Sequence, residues 1–149
     1  MWLRTDDGFD NDPMIVHIAR NRGEADRFLG MITALMLYSA RHKTNGFVPA
    51  LIVREHVRSP RLLALFTDPP GGGPGLLHPR GTECECLDGR DWPAIGGDYM
   101  VHHYLRMNPS AEEYDVRRAK EAELRDRELQ VAVRRRDGDR CRYCGTQVQ

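Results

Sequence analysis

The strongest constraint on the fold is a helical hydrophobic pattern that runs through residues 24–43. Apolar side chains and one serine recur there at three- and four-residue spacings, at Phe28, Met31, Ile32, Leu35, Met36, Tyr38 and Ser39. This spacing puts them on one side of an α-helix. Asn45-Gly46 follows and is typical of a left-handed helix end. The pattern therefore predicts a long helix with one buried face, which other elements must cover.

Shorter elements are predicted on both sides of this helix. Residues 1–5 can form a short strand, and Asp12-Pro13 has the composition of a helix cap followed by the first helical residue. That first helix is predicted to end near residue 20. After the long helix, residues 47–48 should be extended because a proline comes next.

Two more helices are predicted before the next strand. The first begins at Pro49 and runs to about residue 57, with Leu51, Ile52 and Val53 buried. Ser59-Pro60 repeats the signal of a cap followed by proline and begins the second, which runs to about residue 67.

Two strands, at residues 75–78 and 98–105, complete this part of the chain. A loop rich in glycine and proline precedes them at residues 69–74, and a long stretch of poor pattern separates them. Helix, strand, helix, helix, strand, loop and strand is the order of a winged helix-turn-helix. The predicted fold class is therefore α+β, with a winged helix-like domain over residues 1–107.

The remainder is predicted to form an arm and a tail. Ser110 and Glu113 form a capping box that opens a helix to about residue 136. Charged residues outnumber apolar ones in it, which indicates a solvated helical arm over residues 108–136. Residues 137–149 form a tail with the pattern Cys-x-x-Cys.

Composition narrows the class of protein. The 149 residues are 40% hydrophobic and 30% charged, with a formal net charge of zero. The sequence contains no apolar run long enough for a membrane span and no signal-peptide pattern, so a cytoplasmic protein without a membrane partner is expected. Four cysteines in such a protein indicate reduced thiols or metal ligands rather than disulfides.

Positive charge is concentrated locally although the net charge is zero. Six basic residues are candidates for contacts with DNA phosphates: Lys43, Arg54, Arg58, Arg61, Arg80 and Arg90. The predicted helix at residues 60–67 offers Arg61 alone for reading bases, so weak and largely sequence-independent DNA binding is expected. The alternative is that these are ordinary solvated charges on a small domain that binds no nucleic acid.

The cysteines indicate a zinc site that needs further ligands. Cys141 and Cys144 have the spacing of half a zinc site, and structural zinc usually takes four ligands. If Cys84 and Cys86 lie on a strand, alternation puts them on one face, where they could complete a site of four thiolates. Four free thiols are the alternative.

Histidines and carboxylates give no site by spacing. His102 and His103 are adjacent in a predicted strand and should point to opposite faces, so the six histidines are interpreted as core or surface residues. The acidic run Asp6, Asp7, Asp10 and Asp12 is interpreted as caps and turns.

Three segments resemble replication-initiator-like winged helix-turn-helix proteins encoded by actinobacterial phages and prophages. They are "MWLRTDDGFDNDPMIVHIAR", "ARHKTNGFVPA" and "GGDYMVHHYLRMNPSAEEYDVRRA". The tail "VRRRDGDRCRYCG" resembles the opening of an HNH endonuclease domain. In that family the catalytic histidine follows the first cysteine pair, so the resemblance implies a zinc role for Cys141 and Cys144 and no catalytic residue in this chain.

The leading functional prediction is a DNA-binding accessory protein of phage replication or regulation, without enzymatic activity. DNA is the expected partner, phage or host replication proteins are further candidates, and zinc is the candidate cofactor. Two alternatives stay open: a truncated HNH endonuclease-like protein, and an adaptor that binds a protein partner through the helical arm. The sequence leaves the oligomeric state open.

Overall fold

The structure is a computed structural model that describes residues 3, 12–138, 140–141 and 143–147. Residues 1–5 apart from Leu3, and the acidic run before Asp12, lie outside the described residues, and so do the predictions made for them. The chain divides into two compact units, Met1–Ala111 and Glu112–Gln149. The first unit has an α+β fold with a small antiparallel sheet.

The first unit begins with two helices that the sequence predicts well. Helix α1 (Pro13–Ile18) is capped by the Asp12 carboxylate, which accepts hydrogen bonds from two backbone amides of the first turn. Helix α2 (Arg22–His42) is capped by Asn21 and ends at Lys43, which has a left-handed backbone conformation. The periodic face of α2 is buried and forms much of the main hydrophobic core.

Two short helices follow strand β1 (Phe47–Val48): α3 (Ala50–His56) and α4 (Pro60–Thr67). Val53 of α3 is fully buried, but Leu51 is 75% exposed, so its predicted burial is wrong. The reason is helical geometry: residues two apart on a helix face different directions. The ring of Phe66 in α4 packs edge-on against that of Phe28 in α2, with centroids 5.4 Å apart.

Strands β2 (Leu77–Pro79) and β3 (Tyr99–Val101) complete a three-stranded antiparallel sheet with the order β1-β3-β2. In the β2–β3 pair, His78 lies opposite Met100. Residues 80–98 join these two strands, and a 3₁₀ turn at Glu85–Leu87 lies within that connection. The sheet therefore holds the two ends of a long loop close together.

The last predicted strand is much shorter than expected. Residues 98–105 were predicted to be one strand, but β3 ends at Val101 and helix α5 (Tyr104–Met107) begins soon after. His103 adopts a left-handed conformation, with φ of 53°, at the residue before α5. A residue in that conformation cannot continue a strand, which is why the prediction fails there.

The arm is two helices rather than one. Helix α6 (Ala111–Arg125) and helix α7 (Arg127–Asp137) are separated at Asp126, whose carboxylate caps α7 by accepting hydrogen bonds from Glu128 and Leu129. No residue of either helix is buried. The predicted solvated character is thus seen, while an unrecognised cap breaks the predicted single helix.

Candidate metal centre

Four side chains of the first unit converge at the base of the β2–β3 loop: His78, Cys84, Cys86 and His102. Their ligand atoms all lie within 4.8 Å of one another. His78 Nε2 lies 2.7 Å from His102 Nδ1, and Cys86 Sγ lies 3.5 Å from both Cys84 Sγ and His102 Nδ1. Cys84 Sγ lies 3.8 Å from the same nitrogen. Two thiols and two imidazoles therefore meet at one point.

The sheet register brings the two histidines together. His78 is opposite Met100, and the backbone amide of His102 donates to the carbonyl of Leu76 at 3.0 Å. His78 and His102 are therefore diagonal neighbours on the same face of the β2–β3 ladder, within reach of long side chains. His78 is 1% exposed, while His102 lies just beyond the end of β3 and is half-buried.

The 3₁₀ turn brings the two cysteines to the histidines. Cys84 is the extended residue before the turn, and the amide of Leu87 donates to its carbonyl at 2.8 Å. Cys86 lies inside the turn. The two sulfurs end up on the same side, as the sequence predicted, although a turn rather than strand alternation produces this arrangement.

A second small hydrophobic cluster supports the loop beneath the site. It is built from buried Phe47, Leu87 and Met100, with Trp92 and both cysteines packed against it. Arg80 lies over the Trp92 ring, 5.7 Å from its centroid, and donates a hydrogen bond to the carbonyl of Pro93. An apolar surround of this kind limits water access to a metal site.

The separations among Cys84, Cys86 and His102 are close to those that tetrahedral zinc requires, while His78 lies within 4.8 Å of the two sulfurs. Zinc bonds are about 2.3 Å to sulfur and about 2.0–2.1 Å to nitrogen. The ligand atoms would then be about 3.3 Å apart for two nitrogens, about 3.6 Å for nitrogen and sulfur and about 3.8 Å for two sulfurs. The measured distances between sulfurs, and from sulfur to His102, agree with this to within roughly 0.3 Å. The two imidazole nitrogens must separate by roughly half an ångström.

The electrostatic environment favours the neutral imidazoles that metals bind. Burial lowers the pKa of His102 to about 4, helped by the neighbouring His103 and His78. Burial also lowers the pKa of His78, with His103 adding to the effect. Burial raises the pKa of the Cys86 thiol, so that a metal must displace its proton on binding.

Sequence reasoning identified two of these four residues. Cys84 and Cys86 were candidates, but His78 and His102 were not, and the conclusion that the histidines form no cluster at ligand spacing is wrong. That conclusion rested on spacing along the chain. The available signal was the pairing of the two predicted strands, because an antiparallel register places His78 and His102 on one face.

The other candidate cysteines lie in the second unit. The amide of Gly145 donates to the carbonyl of Cys141, and the amide of Cys141 donates to that of Thr146, both at 2.8 Å. Hydrogen bonds from Thr146 and the Cys141 thiol lower the pKa of Cys144. The four-residue cluster of the first unit is complete without Cys141 and Cys144, whose role as zinc ligands stays a prediction.

The predicted phosphate-binding residues occupy different settings. Lys43, Arg54, Arg58 and Arg61 are exposed. Arg80 is also exposed, yet its guanidinium contacts Trp92 and Pro93 as described above. Arg90 is half-buried beside Cys86. DNA contact by any of the six stays a prediction.

The chain matches no known family model, no curated protein and no solved structure. The resemblance to phage proteins and to HNH endonucleases therefore stays a prediction. None of the helices in the described part of the chain has the length and apolar character of a membrane span.

Proposed function

We propose that this chain binds duplex DNA through a winged helix-like domain whose β2–β3 loop is held by zinc. In this proposal, α3 and α4 form the helix pair that approaches DNA, and residues 80–98 form the wing. The zinc is structural. The protein acts as an accessory factor in phage replication or regulation and has no catalytic activity of its own.

The connectivity of the first unit supports the winged helix interpretation. Helices α2, α3 and α4 alternate with the strands in the order α2, β1, α3, α4, β2, loop and β3. The sheet order is β1-β3-β2, with both pairs antiparallel. This arrangement leaves α3 and α4 consecutive in the chain and puts the long loop at one end of a hairpin, as a winged helix requires.

The donor set supports a structural zinc. Catalytic zinc sites use three protein ligands and keep one position for water, whereas structural sites have four protein ligands. His78, Cys84, Cys86 and His102 supply four, and two thiols with two imidazoles suit zinc better than magnesium or calcium. Bound zinc would fix a loop that has only a small hydrophobic cluster of its own.

The observation that carries the DNA-binding proposal is a group of unpaired cations on the α3–α4 pair. Arg54, Arg58 and Arg61 are exposed, and none forms an ion pair with a carboxylate in the described part of the chain. The Arg58 Nε donates only to the backbone carbonyl of Glu55, at 3.2 Å. Three cations within eight residues are thereby available to phosphates.

The composition of α4 argues that binding is largely independent of sequence. Phe66 is fully buried, and Leu62, Leu63 and Leu65 pack against the main core. Base edges are read by side chains such as Arg, Asn and Gln, and α4 presents Arg61 alone. Phosphate contacts should therefore dominate the affinity.

A salt titration of duplex binding tests this proposal. If about four phosphates are neutralised, the logarithm of the binding constant should fall with that of salt concentration with a slope of about −3.6. Arg54→Ala combined with Arg58→Ala should reduce the slope to about −1.8 and weaken binding to all duplexes alike.

The matched control removes two charges from α6, by Arg118→Ala and Lys120→Ala. This control should retain the slope of the original protein. Tight, salt-insensitive binding to one short sequence would contradict the proposal, as would equal losses in the two double variants.

A protein-binding role for the arm is the second candidate. Apolar side chains are exposed along it: Val116 by 55%, Leu124 by 72% and Leu129 by 47%. A partner, or a second copy of the arm, would cover such side chains. Self-association measured by light scattering, lost on Leu129→Lys and unaffected by salt, would favour this candidate over DNA binding.

A further inference from the structure

A small cavity of positive character adjoins the metal centre. It has a volume of about 170 Å³ and is lined by Cys86, Arg90, His103, Leu105 and Arg106. Two guanidinium groups and an imidazole line it, and no carboxylate among the described residues does. Its volume is below the roughly 300–1,000 Å³ of typical small-molecule sites, and it suits a group of a few atoms.

Arg90 lines this cavity, and one of its guanidinium nitrogens is without a partner. The residue is half-buried, and its Nη1 is buried without a hydrogen-bond partner in the described part of the chain. Native proteins rarely leave a buried polar group unpaired, so an unpaired guanidinium nitrogen calls for an explanation such as an ion that the site binds. Arg90 also forms no ion pair with a described carboxylate.

Arg106 supplies a second positive charge at the cavity, from a different element than Arg90. It belongs to α5 and is exposed, and no described carboxylate neutralises it. Its backbone amide donates to the carbonyl of His103 at 2.9 Å, which ties the start of α5 to the cavity wall. Two guanidinium groups around one small cavity match the recognition of an oxyanion.

The backbone at His103 explains how one short segment serves both the metal centre and the cavity. His103 is one of few residues other than glycine with a positive φ, at 53°. This conformation lets His102 join the metal cluster while the next residue, His103, lines the cavity. Unfavourable backbone conformations of this kind are concentrated at functional sites.

We infer that this cavity binds a phosphate group, with Arg90 and Arg106 as its ligands and His103 as part of its wall. The inference rests on the proposed function, because a backbone phosphate of bound DNA is the natural occupant beside a wing. Bound zinc neutralises the two thiolates with its own charge, so Cys86 would not repel the anion.

Arg90 has a competing role, which is to stabilise the Cys86 thiolate. The Arg90 charge acts on Cys86 and favours its deprotonated form. If that were its whole role, Arg90→Gln, which removes the charge, would lower zinc affinity, and Arg106→Gln would affect neither zinc nor phosphate. The two roles are separated by measuring phosphate binding directly.

The test is a titration of the zinc-loaded full chain with inorganic phosphate, against sodium chloride at equal ionic strength. Arginine Nε–H signals are followed by NMR. We expect saturable shifts at Arg90 and Arg106. Arg106→Gln should weaken the phosphate affinity read at Arg90 about tenfold, and Arg118→Gln should leave the affinity unchanged. Zinc content and thermal melting of each variant verify that it is folded.

The second measurement is binding to duplex DNA. Arg106→Gln should reduce the magnitude of the salt slope by about 0.9, the contribution of one phosphate. Saturable phosphate binding without duplex binding would support the cavity and overturn the proposed DNA function. Absence of any saturable shift at Arg90 and Arg106 would overturn the inference, whatever the duplex result.

Discussion

At the scale of single residues, burial keeps the histidines of the candidate metal centre in the neutral form that a metal binds. The pKa of His102 is lowered to about 4, so its ring is neutral across the physiological range. A protonated imidazole cannot bind zinc. A ring with a low pKa stays unprotonated, so protons compete little with the metal for its nitrogen. The same burial makes protonation of these rings costly to the folded, metal-free protein.

This gives a prediction for the pH dependence of stability. An imidazole has an ordinary pKa of about 6.5 in the unfolded chain, and that of His102 is lower in the folded protein. The unfolded state therefore binds more protons below pH 6.5, and the stability contributed by the neutral ring is lost as pH falls toward about 4. Urea unfolding of chelator-treated, reduced protein at several pH values should show this loss.

His102→Gln is the variant that isolates the effect. It removes the titrating ring, so the decline in unfolding free energy between pH 6.5 and pH 4.5 should be shallower than in the original protein. Parallel pH profiles for the two proteins would mean that His102 is not the group responsible.

At the scale of elements, the link between α4 and β2 depends on a close backbone approach. A Cβ atom on Gly75 would lie 2.3 Å from the carbonyl oxygen of Phe66 and 2.6 Å from that of Thr67. These are backbone atoms at the end of a helix, so they cannot rotate away as a side chain can. Only glycine allows β2 to begin this close to α4.

Gly75→Ala should therefore destabilise the first unit by about 3 kcal/mol. Gly30→Ala is the matched control, because a Cβ at this exposed position of α2 meets nothing within 4 Å. It should raise stability by about 1 kcal/mol through helix propensity. Denaturant unfolding measures both variants, and a neutral Gly75→Ala would show that α4 and β2 are farther apart than described.

The elements also show what the sequence could predict. Helix α2 was predictable because its apolar spacing repeats over about three turns. Helix α1 was predictable because Asp12-Pro13 is a local capping signal. The end of β3 could not be predicted, since the left-handed conformation of His103 depends on the packing of α5. The break at Asp126 was overlooked because its cap resembles an ordinary charged residue in a charged helix.

The metal centre was only half predictable for a related reason. Cys84 and Cys86 are close in sequence, so local geometry was enough to put their sulfurs together. His78 and His102 are 24 residues apart and meet only through the β2–β3 register. A pairing between distant strands is decided by the whole domain, and spacing along the chain does not contain it.

At the scale of the whole molecule, the proposed zinc leaves no position for a reacting water. One group of three or more potential ligands occurs in the described part of the chain, and its four members would fill the four positions of a tetrahedral zinc. Plasmid incubated with the purified protein and Mg²⁺, Mn²⁺ or Zn²⁺ should therefore stay supercoiled. Nicking that depends on metal and disappears on Cys86→Ser would reveal a catalytic centre.

Zinc content measured on cysteine variants tests the central claim most directly. The full chain is purified, dialysed and analysed by native mass spectrometry. Cys141→Ser with Cys144→Ser should still hold one tightly bound zinc, because His78, Cys84, Cys86 and His102 form a complete site. Cys84→Ser with Cys86→Ser should lose it and melt at a lower temperature. A folded Cys141→Ser/Cys144→Ser variant that holds no zinc would contradict the account.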